Sequence, residues 1–164
     1  MRLFQPATLL LAFALIITGC ATTGGTTSTG SRYEKQKVVY HINYDDPKTQ
    51  AAALRNIQNH INAVGKDNLD LKVVLHGKGL SLLLEPDAVK NTKLKYGNAT
   101  NDMQAKISSL KGQKVAFIIC ANTLKGKKVN YETDLYDVSE ADLVPSGVAE
   151  LAHLQARGYT YIKP

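Results

Sequence analysis

The chain has 164 residues, 44% hydrophobic and 21% charged, with two cysteines and a formal net charge of +6. That composition suits one domain with its own core. Its lysines are scattered rather than set in an aromatic-interleaved stripe, which argues against a nucleic-acid partner. With Cys20 and Cys120 the only cysteines, a modified Cys20 would leave one thiol and no internal disulfide.

Residues 1–19 place Arg2 before an apolar run from Leu9 to Ile17, followed by Thr18-Gly19-Cys20. The run is shorter than the roughly 20 residues a membrane-spanning helix needs and suits a secretory signal. Small residues before Cys20 resemble the lipobox of bacterial lipoproteins. The resemblance implies cleavage before Cys20 and a lipid anchor on it. Because Ala21 rather than Asp follows, the implied address is the cell envelope, at the periplasmic face of the outer membrane. An ordinary signal peptide cut nearby is the alternative. Residues 20–31 continue as a Thr/Gly/Ser/Ala linker with nothing to bury. The folded domain is expected at 32–164.

Lys37 to Tyr44 reads as a strand rich in β-branched and aromatic residues. Asp45-Asp46-Pro47 opens a helix whose Leu54, Ile57, Ile61 and Val64 recur at helical spacing until Gly65. Leu69 to Leu75 is a second strand, followed by His76-Gly77-Lys78-Gly79 and a short apolar turn at Leu80 to Leu84. Pro86 to Asn101 has no period and reads as a long loop, functional or disordered. A helix capped by Asp102 and running to Leu110 presents Met103, Ile107 and Leu110 on one face. A third strand, Val115 to Ile119, runs into Cys120, with a short helix from Asn122 limited by Gly126. Leu143-Val144 is a brief strand before Pro145-Ser146, which opens a helix to Arg157; Tyr159 to Ile162 is the last strand. Alternating strands and helices define an α/β domain with a mostly parallel five-stranded sheet.

In such sheets ligands collect beyond the carboxyl ends of the strands. Three strands end there in polar residues: His41 and Asn43, His76 and Gly77, and Cys120, Asn122 and Thr123. Two imidazoles and a thiol can exchange protons near neutral pH. A thiol at a helix start tends toward thiolate, and an exposed thiolate attacks sulfur or carries it as a persulfide. Each residue also has a plainer reading. Cys120 can be a small buried hydrophobe, His76 the polar end of a strand, and His41 a satisfied core histidine; Asn122 and Thr123 can simply cap a helix. His60, with Asn56 and Asn59, reads as a polar patch suited to a subunit contact, and His153 as solvated. Gly77-Lys78-Gly79 lacks phosphate-loop spacing, and no zinc-ligand spacing, GxSxG elbow or GxGxxG fingerprint occurs. No metal or cofactor is implied.

The segments Leu54-Arg55-Asn56-Ile57-Gln58-Asn59-His60, Val73-Val74-Leu75-His76-Gly77 and Phe117-Ile118-Ile119-Cys120-Ala121-Asn122-Thr123-Leu124 resemble the DsrE/DsrF-like family. So do Val144-Pro145-Ser146-Gly147-Val148-Ala149-Glu150-Leu151, Leu154-Gln155, and Gly158-Tyr159-Thr160-Tyr161-Ile162-Lys163-Pro164. The resemblance implies a three-layer flavodoxin-like domain assembled as a homotrimer or homohexamer. It also implies a cysteine at the position of Cys120 that accepts sulfane sulfur from a donor protein or small thiol and passes it on. Relay members act in the cytoplasm, whereas this chain carries an export-like leader. Three other functions fit the residues: an oligomeric lipoprotein that binds a small ligand without turnover, a cysteine hydrolase with a histidine base, and a structural envelope protein with an inert Cys120.

Overall fold

Val38 to Ile42, five consecutive buried residues, make the first strand, β1 (Gln36–Ile42), a central strand covered on both faces. The computed structural model describes residues 32–164; the expectations for the leader, Cys20 and the linker lie outside the described residues. After β1, Asp46 caps α1 (Pro47–Val64) by accepting the Thr49 N–H at 2.7 Å, and Gly65 ends it at φ +88°. β2 (Leu69–Leu75), α2 (Asn101–Gly112), β3 (Ala116–Cys120), α3 (Ala121–Lys127), α4 (Tyr131–Asp134), β4 (Leu143–Val144), α5 (Gly147–Ala156) and β5 (Thr160–Ile162) follow.

The five strands are parallel and ordered β4-β3-β2-β1-β5. The chain steps outward from β1 to β4, then returns through α5 to add β5 on the far side of β1. Right-handed crossovers require α5 to lie on the opposite face from α1 and α2, and the core divides accordingly. Val38, Tyr40, Ile42, Val73, Leu75, Phe117 and Ile119 pack with Leu54, Ile57 and Ile61 of α1 and Met103, Ile107 and Leu110 of α2. Val39 and Val74, with Ile118 beside them, pack with Leu151 and Leu154 of α5 and with Tyr159. Full burial of one such aliphatic or aromatic side chain contributes about 1.5–3 kcal/mol. The result is a three-layer, flavodoxin-like α/β domain with an all-parallel sheet.

The topology fixes where a site can form. The carboxyl end of β3 leads toward the α1/α2 face and that of β4 toward the α5 face, so the strand-order reversal lies between them. Cys120 ends β3, and Pro145-Ser146-Gly147 follow β4.

Two local expectations change. Thr100, not Asp102, occupies the cap position of α2; Asp102 lies in the first turn and pairs with Lys106. The Pro86–Asn101 stretch is an ordered strap: a 3-10 helix over Pro86–Asn91, then buried Leu94, Asn98 and Ala99. The Asn98 amide donates to Gln50 Oε1 (2.8 Å), the Asp45 carbonyl (2.9 Å) and Ser81 Oγ (3.3 Å). Interior hydrogen bonds replace the hydrophobic period that would have marked this segment.

Candidate functional site

Side chains alternate across a strand. Val39, Val74 and Ile118 face α5, so His41, His76 and Cys120, each two residues further on, stand on that same face at the carboxyl edge. His76 follows Leu75, the last residue of β2, and Cys120 is the last residue of β3, paired with Val144 of β4. A Cβ built on Gly147 would lie 3.0 Å from His76 Cβ and 3.2 Å from Cys120 Cβ. The opening residue of α5 therefore rests directly on both side chains, closer than a Cβ ordinarily packs.

Cys120 is 5% exposed. The expectation of an exposed thiol is corrected here: the strand reversal brings α5 over the sulfur. The surroundings are polar all the same. Burial pushes the thiol pKa up, but the Thr123 hydroxyl and the backbone N–H groups of Gly147, Thr123 and Asn122 outweigh it, leaving the thiol below its ordinary value. The resting thiol makes no capping hydrogen bond of standard geometry to α3; these donors act by favouring the anion. Thr123 is held in place by the Gly77 N–H, which donates to its Oγ1 at 2.9 Å. Gly77 adopts φ +58°, in the left-handed region. Nearby, Gly79 packs backbone against backbone, where a Cβ would fall 1.9 Å from the Ile42 carbonyl oxygen.

The histidines form a pair. His41 and His76 stack with ring centroids 4.7 Å apart and planes 18° apart. Nδ1 of His41 shares a 2.6 Å hydrogen bond with the hydroxyl of Tyr161 on β5, while its buried Nε2 has no partner. Burial, His76 and Lys163 push the His41 pKa down to about 4. Burial and Lys163 also lower that of His76. Both rings are thus held toward the neutral form, in which an imidazole can take a proton.

Of the residues expected from sequence, the site gathers Cys120, His76, His41, Gly77 and Thr123. Asn43 is half-buried just past β1; the Asn122 side chain is exposed, and its backbone N–H is the part that serves the sulfur. Gly147, Tyr161 and Lys163 were not anticipated. Tyr161 was within reach of strand alternation, because it pairs with Val39 and so belongs on the α5 face. His60 is bonded within the chain, to Tyr40 OH at 3.1 Å and Gln36 Oε1 at 2.8 Å. His153 is exposed, as expected. A cavity of about 520 Å³ between α1 and α2, lined by Leu54, Ala105 and Leu110, includes none of these site residues. Among the described residues no three His, Cys, Asp or Glu side chains gather as a metal site, and no helix is long and apolar enough to cross a membrane.

These features define a class: a three-layer α/β domain with one cysteine at the carboxyl-edge reversal of its sheet, flanked by histidines. Residues 36–164 match the model of the DsrE/DsrF-like family, and the chain belongs to that family. Among solved structures it is similar to MTH1491, a protein of unknown function from Methanobacterium thermoautotrophicum. The two share 27% identity and a TM-score of 0.62, over 79% of this chain and 99% of that one. No curated protein matches.

Proposed function

We propose that this protein accepts sulfane sulfur on Cys120 as a persulfide and passes it to an acceptor thiol or protein. The observation that carries this reading is the gathering of the Gly147, Thr123 and Asn122 amides and the Thr123 hydroxyl on one thiol beside neutral imidazoles. Such donors favour a thiolate, and the same donors suit a persulfide anion. Cys120 is the sulfur acceptor, His76 the proton acceptor nearest the thiol, and His41 the ring that backs His76. Family membership supports the reading, since a possible sulfur-relay role belongs to the family. The proposal includes a setting: export, a lipid on Cys20, the periplasmic face of the outer membrane, and assembly as a homotrimer or homohexamer.

Incubating the purified protein with polysulfide or thiosulfate and weighing it intact tests the chemistry. Wild type should gain sulfur, and Cys120→Ser should not. Equal gain by the variant, or none by wild type, removes the proposal.

The 5% exposure of Cys120 favours one other reading, an oligomeric lipoprotein that binds a small ligand without turnover. Ligand-induced thermal shifts that persist in Cys120→Ser would support it.

A further inference from the structure

Three features of the site limit what can deliver sulfur to it. Cys120 is 5% exposed, with the start of α5 seated on it at Gly147. A protein-borne persulfide would have to bring its sulfur and the backbone behind it past that helix start, whereas a short chain of sulfur atoms need not. His41, only 6% exposed, keeps a buried Nε2 without a partner in the ring stacked on His76. An unmet polar atom at that depth is a cost a folded chain rarely leaves in place without a use. Lys163, exposed and two residues beyond Tyr161, acts electrostatically on both imidazoles and places a positive charge at this edge of the sheet.

From these we infer that the sulfur donor is a small inorganic polysulfide anion rather than a persulfide carried on a protein, with Lys163 drawing it in and the stacked His41–His76 pair receiving it. This rests on the sulfur-acceptor reading of Cys120. In the step, the Cys120 thiolate attacks the terminal sulfur of a hydropolysulfide anion. A new S–S bond forms to Cys120 as the bond behind the attacked sulfur breaks, its electron pair leaving with the shortened chain. His76 takes the proton from the attacked sulfur and returns it to the departing fragment. The products are a Cys120 persulfide anion and a hydropolysulfide one sulfur shorter. Charge and protons balance, and no oxidant is needed.

Two comparisons on the full-length chain test this, each read at the Cys120 peptide by mass spectrometry with Cys120→Ser as the blank. The first offers sodium polysulfide or persulfidated serum albumin at equal sulfane sulfur. Loading from polysulfide should be faster by about tenfold or more, because thiol–disulfide exchange depends on access to the attacking sulfur. The second offers iodoacetamide or a bulky fluorescein iodoacetamide, and the small reagent should win by a similar factor. Lys163→Gln should slow polysulfide loading about threefold while leaving iodoacetamide alkylation unchanged, because only the anion is steered by charge. Equal loading from albumin persulfide, or polysulfide loading indifferent to Lys163→Gln, overturns this inference and leaves the acceptor role intact. Alkylation of Cys120 without loading from any donor overturns the acceptor role itself.

Discussion

His41 and His76 lie ring over ring, 4.7 Å apart and 18° from parallel, although they come from different strands. The parallel register of β1 and β2 produces this. His41 pairs with Val74, and His76 stands one same-face step beyond Val74. Two stacked imidazoles cannot both accept a proton without repulsion, and Lys163 adds to that cost.

A pH dependence follows. His41 has a pKa of about 4 in the folded chain and an ordinary value near 6.5 when unfolded. Between those values the unfolded state holds the extra proton, so stability rises with pH and is lost as pH falls from 6.5 toward 4. His76 and His60 shift in the same direction. Urea unfolding should show a loss of about 2 kcal/mol from pH 7 to pH 4.5, with a shallower slope in His41→Phe. A flat profile over that range would contradict the placement of His41.

Tyr161 holds His41 at Nδ1, although Tyr161 is itself 38% exposed on the edge strand. Tyr161→Phe leaves both nitrogens of a buried imidazole unpartnered. It should lower stability by about 1–2 kcal/mol, far more than an exposed tyrosine normally costs. Chemical denaturation at pH 7.5 measures it, and a change within error would show the bond to be unimportant.

Gly147→Ala would place a methyl group 3.0 Å from His76 Cβ and 3.2 Å from Cys120 Cβ. Either these side chains or the start of α5 must give by a few tenths of an ångström; the expected outcome is that α5 moves, which costs about 1–3 kcal/mol and draws one N–H away from the sulfur. Thermal unfolding should show the loss, and thiol titration should show a raised Cys120 pKa. Retention of both wild-type values would mean that α5 does not bear on the site.

Thr123 serves two partners, accepting from the Gly77 N–H and supporting the Cys120 anion. Thr123→Val removes both functions at nearly constant volume. Stability should fall by about 1 kcal/mol, and iodoacetamide alkylation of Cys120 should require higher pH. Unchanged alkylation would assign the lowered thiol pKa to the amides alone.

Much of the architecture was legible because its signals are local. The helical spacing of Leu54, Ile57, Ile61 and Val64 marked α1, and all four are buried. Cys120 lies at the strand-to-helix junction that its apolar run and the following Asn and Thr predict, and the convergence of His41, His76 and Cys120 follows from parallel strand ends. What escaped depends on contacts distant in sequence. The cover over Cys120 comes from Gly147, which reaches it only because the chain reverses direction after β4. The 86–101 strap resembled a loose loop because Asn98 is fixed by Gln50 of α1 and by Asp45 in the segment before it, both distant in sequence. Tyr161 looked like an ordinary edge-strand aromatic until the register placed it against His41.

The most direct test is the rate of Cys120 alkylation by iodoacetamide in the native protein across pH 5 to 10. The account predicts reaction in the folded state with a midpoint below that of an unperturbed thiol, near pH 8.5, moving upward in Thr123→Val. A thiol that reacts only as fast as the protein unfolds, or that titrates above the ordinary range, would contradict it.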